Sequence, residues 1–407
     1  MEIQERVYRR LFYLIYIMSF IAFSLLSIYK IPVRTEPLYI ALIFDFVFSM
    51  VYILIKYLMP EGDVVLFLIS AFLSEIGLII IYRLQPNLAI KQIVWVASGM
   101  LLFIITAYLY RFTDKVNRYY FGYIVAGFAM LIVTLVFGKE VGGSTNWLSI
   151  GRVTFQPSEF VKLLYVLFMS NFLAEKKGKR QVLFAFGITL LLVLFLMLQK
   201  DLGSALIFFL TGLVMVYVAT SNWLYAAIGF MALGIGGLMS FYIFDHVRIR
   251  IDAWLNPWID VPGKGYQIVQ SLLAISSGGY LGTGLGLGHP ELIPAVYTDF
   301  IFSAICEEMG FLGAAAIIIM YFLILYRGMR ISLRCEDIVD KLVTVGLTAM
   351  FSIQVFTIIG GVIKFIPLTG VTLPFISYGG SSIVMSFILL GILKSVSERI
   401  GDSIEHQ

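Results

Sequence analysis

LFYLIYIMSFIAFSLLSIY, residues 11 to 29, runs for 19 residues without a charge. About 20 apolar residues are what a helix needs to cross the hydrocarbon core of a bilayer. Arg6, Arg9 and Arg10 precede the stretch and it has no small-residue cleavage site. It therefore reads as a retained anchor and not as a removed leader.

The pattern recurs along the chain. Spans are expected near 11–29, 38–58, 64–83, 88–110, 119–138, 160–174, 182–199, 203–220, 223–244, 299–326, 341–364 and 375–396, about twelve in all. Hydrophobic residues make up 60% of the 407 and charged ones 13%, and the mean hydropathy is +0.94. A soluble core has no use for so much apolar surface, so the fold class is an all-α polytopic membrane protein. The net charge of +4 comes with no basic stripe interleaved with aromatics, which excludes nucleic acid as a partner and leaves topology as its explanation. Cys306 falls in an apolar span and Cys335 in a basic loop, so no disulfide is expected.

Basic residues in short loops stay on the cytoplasmic side. Arg111, Lys115 and Arg118, then Lys176, Lys177, Lys179 and Arg180, then Arg327, Arg330 and Arg334 fall on alternate connections, the side of the N-terminal arginines. Both termini are thereby cytoplasmic, and the long connections 139–159 and 245–298 lie outside. The second has 54 residues, of which only Arg248, Arg250 and Lys264 are Lys or Arg.

Four outer segments carry the chemistry-bearing residues. DAWLNPWIDVPGKGYQ (252–267) has two tryptophans, which favour the headgroup region, and two prolines, so the long loop hugs the membrane. After it, Ile268, Val269, Leu272, Leu273 and Ile275 recur at helical spacing, with Gln267, Gln270 and Ser271 on other faces, as in a short interfacial helix. GGYLGTGLGLGHP (278–290) follows no strand and lacks GK[ST], which excludes a nucleotide loop; it reads as a tight re-entrant or surface turn. Asp299 is placed at the start of a helix, where a carboxylate both caps orphan amides and is held ionised by the helix dipole; cap and general base are compatible. On a continuous helix Glu307 lies about 80° from Asp299 and Glu308 about 180°, so only Glu307 shares its cavity. Glu159 and Lys162 are spaced for an i, i+3 pair, read either as a structural salt bridge or as a ligand for pyrophosphate at the outer mouth of the bundle. QKDLGSA (199–205) and PLTGVTLPFISYGGSS (367–382) are further polar outer turns; Ser377, Gly379 and Gly380 are candidate substrate contacts in the latter. His246, His289 and His406 are scattered, and no metal spacing is present.

NWLSIGRVTFQPSEFVK, QKDLGSA, WLNPWIDVPGKGYQIVQS, YTDFIFSAICEEMGFLG and TGVTLPFISYGGSS, five motifs in order over residues 64 to 398, resemble the SEDS family (FtsW, RodA, SpoVE); the last looks closer to FtsW and SpoVE. The resemblance implies a ten-helix core over 64–398, an added N-terminal hairpin over 1–63 and a cytoplasmic tail over 399–407. It implies a peptidoglycan glycosyltransferase of the bacterial cytoplasmic membrane. Such an enzyme polymerises lipid II on the outer face, inverting the anomeric carbon, and works with a class B penicillin-binding protein and other divisome or elongasome proteins. Asp299 matches the family's catalytic acid, and Gln156, Ser158, Glu159 and Lys162 match residues that line its cavity. Three departures stand out: Tyr297 replaces the motif's His, Asn146 replaces an Arg, and the segment before Asp299 is short. The leaving pyrophosphate needs its charge neutralised, by Lys162, Arg152, helix N-termini or a divalent cation, Mg or Mn. A lipid II flippase and a non-catalytic scaffold for a transpeptidase are the rival readings; Asp45, Glu75 and Glu307 keep the first open.

Overall fold

The computed structural model describes residues 2–28, 33–112, 119–141, 143–151, 153–175 and 178–405. Lys115, Arg118, Lys176, Lys177 and Arg152 lie outside them. In chain order the elements are α1 (Glu2–Ile28), α2 (Glu36–Leu58), α3 (Val65–Leu84), α4 (Pro86–Tyr110), α5 (Tyr120–Phe137), β1 (Lys139–Val141), β2 (Ser144–Ile150), β3 (Val153–Phe155) and α6 (Pro157–Ala174). There follow α7 (Lys179–Leu198), α8 (Leu202–Thr220), α9 (Trp223–Ile243), α10 (Asp245–Leu255), α11 (Tyr266–Gly278), α12 (Ile301–Arg334), α13 (Ile338–Val362) and α14 (Gly380–Glu405). Among the described residues 11 helices are long and apolar enough to cross a membrane. The remaining expected span is α6, which has 18 residues and falls outside that set because Glu159, Lys162, Ser170 and Asn171 dilute its apolar content.

The chain divides into two compact units, residues 1–112 with 271–327 and 372–407, and residues 113–270 with 328–371. In the first, α3 is buried on nearly every face. Rings tie its four N-terminal helices in sequence: Phe12 to Phe48 at 5.1 Å between centroids, Phe48 to Phe67 at 5.8 Å, and Phe67 to Phe103 at 5.2 Å. The connection from α2 to α3 is strapped to α14. Glu398 accepts from the amides of Glu61 and Gly62, Lys394 donates to the Met59 carbonyl, and Lys394 and Glu398 pair at 2.9 Å, both fully buried. Arg327 closes the same corner by a two-oxygen grip on Asp63.

In the second unit α5 packs on α6, and α8 and α6 both pack on α13. The connection 139–159, expected only as a loop, is a three-stranded antiparallel meander in the order β1-β2-β3. Its pairs Val141 with Ser144 and Ile150 with Val153 each close over two residues, where Gly143 (φ 83°) and Gly151 (φ 62°) supply the left-handed backbone such turns require. In the long connection 245–298, α10 precedes α11 and has no counterpart in the sequence reading. Trp254 of α10 donates to the Lys364 carbonyl and Arg250 to the Thr369 carbonyl.

Two expectations about 299–326 are corrected. Asp299 does not begin the helix: it sits in the turn 294–300, and α12 starts at Ile301. Nor is the span continuous. Gly310 (φ 66°, ψ −169°) breaks α12 after its first turns. The glycine loop fills the break: Thr283 and Gly284 donate to the carbonyls of Glu307 and Glu308, and Phe311 and Leu312 donate to those of Gly279 and Tyr280. Irregular backbone at membrane depth is tolerated where protein satisfies its polar groups, and here a neighbouring loop does so. A Cβ at Gly310 would run into the backbone of Leu281 and Gly282. Gly310→Ala should therefore destabilise the protein by about 1–3 kcal/mol, through strain and a displaced loop. Thermal unfolding in detergent reads this; an unchanged melting temperature would contradict it.

Candidate active site

The turn that carries Asp299 is anchored by what flanks it. Ile293, Val296 and Phe300 are buried, while Asp299 itself is half-buried. Ala295 adopts a left-handed backbone (φ 53°), and its carbonyl accepts from both the amide and the hydroxyl of Thr298. Thr298 thus spends its side chain on the turn rather than on capping α12.

The two carbonyls before Asp299 are both held by the segment that leads into α14. The Tyr378 amide donates to the Tyr297 carbonyl at 2.8 Å, and the Ser377 hydroxyl donates to the Thr298 carbonyl at 2.6 Å. Ser377 accepts in turn from the Leu373 amide, and its own carbonyl accepts from Gln92 of α4. The rings of Tyr297 and Tyr378 meet edge to face at 6.1 Å. The residue that replaces the family's His is therefore part of the packing that fixes the turn. Ser377 is almost wholly buried, Gly379 is buried near Thr372, and Gly380 lies against the Trp95 indole. Among these three candidate contacts, Ser377 has its hydroxyl committed within the protein. Ser377→Ala should leave the fold intact, since one hydrogen bond contributes about 0.5–1.5 kcal/mol. It should lower turnover by about tenfold to a hundredfold by loosening Asp299. Turnover equal to wild type would remove Ser377 from that role.

Glu307 and Glu308 face the glycine loop. The His289 amide donates to Glu307 Oε1 at 2.7 Å, and Glu307 Oε2 is buried without a partner. Glu308 pairs with Arg83 of α3 at 2.6 Å. Arg83 also reaches Glu291 at 2.9 Å and the Gly288 carbonyl. Burial pushes the Glu291 carboxyl up, but the bonds from Arg83, its own amide and His289 outweigh it and hold the group at about 2. This ion pair consequently persists through neutral and mildly acidic conditions and is lost only as pH falls towards that value.

In the second unit Lys162 donates to Glu159 and to Gln354 of α13, both at 2.8 Å, with Lys162 and Glu159 each 6% exposed. The i, i+3 pair is present, and two of the three ammonium protons are taken. Ser158 is buried, its hydroxyl without a partner. Asp201 is a hub: it accepts from Asn146 at 2.8 Å, from Gln156 at 3.0 Å and from the amide and hydroxyl of Ser204. Asn146, standing where the family has Arg, is thus a neutral donor to a buried carboxylate. Gln267 is exposed and Gln270 half-buried on α11, and Arg152 lies outside the described residues. Sequence reasoning misses Asp201, Gln354, Arg83 and Gln92 as partners of these residues: Asp201 lies in QKDLGSA, and the others are single polar residues on apolar helices, a signal in itself. Among the described residues no three His, Cys, Asp or Glu side chains converge to hold a metal.

Comparison with known proteins fits this geometry. Residues 51–400 match the family described as Cell cycle protein, which groups FtsW, RodA and SpoVE. The chain is 35% identical over 382 residues to the peptidoglycan glycosyltransferase RodA of Mycobacterium tuberculosis, covering 86% of this chain and 81% of the relative. It is 35% identical over 361 residues to stage V sporulation protein E of Bacillus subtilis, covering 82% and 96%. It is 33% identical over 362 residues to a probable peptidoglycan glycosyltransferase FtsW of Geobacter sulfurreducens, covering 83% and 95%. These values do not favour the FtsW and SpoVE branch over RodA; the ending that suggested it is one short motif. Among solved structures, a chain of a peptidoglycan synthase complex that coordinates polymerization and crosslinking superposes with a TM-score of 0.71 at 29% identity, covering 83% of this chain and 98% of that one. The rod shape determining protein RodA of Thermus thermophilus does so with a TM-score of 0.61 at 28% identity, covering 83% and 96%. This chain is a multi-pass membrane protein that belongs to the FtsW/RodA/SpoVE family.

Proposed function

We propose that the chain is a peptidoglycan glycosyltransferase that polymerises lipid II, with Asp299 as the general base. The observation that carries this reading is the turn 294–300, in which both backbone carbonyls before Asp299 are pinned by Tyr378 and Ser377. A sugar hydroxyl is a weak nucleophile, and a base must be fixed within hydrogen-bond reach to take its proton as the anomeric carbon is attacked. The attacking hydroxyl loses its proton to Asp299, the new glycosidic bond forms with inversion, and undecaprenyl pyrophosphate leaves with the electron pair. Tyr297 offers no imidazole for a His–Asp relay, so Asp299 passes its proton to water or to the departing group's surroundings.

Lys162 is the residue we assign to the pyrophosphate. Its remaining ammonium proton suits a phosphate oxygen, and its attachment to Glu159 and Gln354 fixes its position. A divalent cation, Mg or Mn, would neutralise charge on the pyrophosphate if it were bound there, although among the described residues no three His, Cys, Asp or Glu side chains converge to hold it. Gln156, Ser158, Gln267, Gln270, Glu307, Gly379 and Gly380 complete the proposed substrate-facing set, together with Arg152.

The partner in this reading is a class B penicillin-binding protein, with other divisome or elongasome membrane proteins around the pair. The similarity to a chain of a peptidoglycan synthase complex supports it. Both termini are cytoplasmic, the site faces outwards, and residues 1–63 are an added hairpin on a 64–398 core with a 399–407 tail. In a background lacking Cys306 and Cys335, a cysteine at Thr35 should react with a membrane-impermeant maleimide in intact cells, and one at Gly178 should not. The reverse pattern would put Asp299 inside the cell. Synthesis of glycan strands from lipid II by the purified chain tests the activity itself.

A further inference from the structure

Within the first unit, the side of α3 that meets the N-terminal hairpin carries a polar cluster at mid-span that neither the proposed reaction nor the packing of α3 on α4 and α14 uses. Glu75 of α3 is fully buried, and neither of its carboxyl oxygens has a hydrogen-bond partner among the described residues. Asp45 of α2 lies within electrostatic reach of it. Asp45 accepts a bond from Ser19 of α1 at 3.2 Å on one oxygen, while its other oxygen is buried and unpartnered. Around them the Tyr16 hydroxyl donates to the Asp45 backbone carbonyl and contacts Ser49, whose hydroxyl donates to the same carbonyl.

Other titratable groups on the helices packed against α3 are committed or remote. Tyr16 is spent on Asp45 and Ser49, Lys56 pairs with Glu5 near the end of α2, and Lys394 and Glu398 pair with each other at the far end of α14. Tyr52 lies nearly two turns from Asp45 along α2, and Lys91, Tyr108 and Tyr110 sit near the ends of α4. Among the described residues no cationic side chain interacts electrostatically with Glu75 or Asp45. A carboxylate in hydrocarbon with neither donor nor counter-ion is far less favourable than a carboxylic acid. Glu75 has no donor among the described residues and Asp45 only the Ser19 hydroxyl, so the pair cannot both be ionised and at least one proton is held there, on Glu75 in preference.

We propose that Glu75 and Asp45 form an intramembrane proton-binding site that joins the hairpin α1–α2 to α3. Asp45 is the half-buried member and Glu75 the fully enclosed one, so a proton exchanged with the surroundings passes Asp45 before it reaches Glu75. The proton leaves and returns without any bond between heavy atoms changing.

Dicyclohexylcarbodiimide reacts with protonated carboxyls in apolar surroundings and tests the assignment. The full-length protein in phospholipid vesicles is treated over a range of pH, and adducts are located by mass spectrometry of peptides. The expected result is an adduct on Glu75 or Asp45 that declines as pH rises, is unaffected by added sodium, and disappears in Glu75→Gln combined with Asp45→Asn. Infrared spectra of the untreated protein should show a carboxylic-acid carbonyl band that Glu75→Gln removes, a readout that requires no reagent access. Absence of that band, or labelling that does not change with pH, would overturn the proposal. Protection from the reagent by sodium at fixed pH would also overturn it, because the site would then hold a metal cation in place of the proton.

Discussion

Asp299→Asn should lower glycan-strand synthesis by about 10²- to 10⁴-fold, the range associated with loss of an essential general base. The same substitution should hardly alter thermal stability. Asp299 precedes α12 and the turn around it is held by backbone bonds to Ser377, Tyr378 and Ala295, none of which involves its carboxylate. Even a lost capping contact would cost only about 0.5–2 kcal/mol. Rate and melting temperature therefore separate a catalytic from a structural role. Asp299→Asn protein that is stable and makes normal amounts of polymer would remove the base from the mechanism.

Lys162→Met should be inactive and also less stable. Glu159 and Gln354 lose a shared buried donor, and an uncompensated buried charge costs about 3–5 kcal/mol. Inactivity alone would then say little, because an unstable enzyme is also inactive. The double variant Glu159→Gln with Lys162→Met resolves this. Replacing both members of a buried ion pair is often nearly neutral, so its melting temperature should return towards that of wild type. If Lys162 holds the pyrophosphate, the double variant stays without polymer despite its recovered stability. Recovery of polymer along with stability would make the pair structural only.

How much of this could be read in the sequence depended on range. A run of about 20 apolar residues has essentially one use, so the spans were legible, and the i, i+3 spacing of Glu159 and Lys162 announced their bond. The break in α12 was not legible. Gly310 resembles any glycine tolerated in an apolar helix, and what makes it a break is the loop 279–284 donating and accepting across it. Its glycines mark that loop as a tight re-entrant or surface turn, but nothing local says what it meets. The helical-wheel angle between Asp299 and Glu307 does not apply, because Asp299 sits in a turn that precedes the helix. The meander β1-β2-β3 has strands of 3, 7 and 3 residues, too short to show a period against the apolar background. Asn146 was noticed as a departure from Arg, yet its partner Asp201 lies 55 residues further on, and pairings at that distance leave no local trace.

The central claim is that this chain itself builds glycan from lipid II at Asp299. It is tested most directly by fluorescent lipid II in vesicles carrying the purified protein, with wild type and Asp299→Asn compared on a polymer gel and transbilayer movement of the lipid followed in the same vesicles. The account predicts a ladder of glycan strands from wild type and none from Asp299→Asn. Lipid II that crosses the bilayer at equal rates in both, with no strands from either, would contradict it and make the chain a flippase.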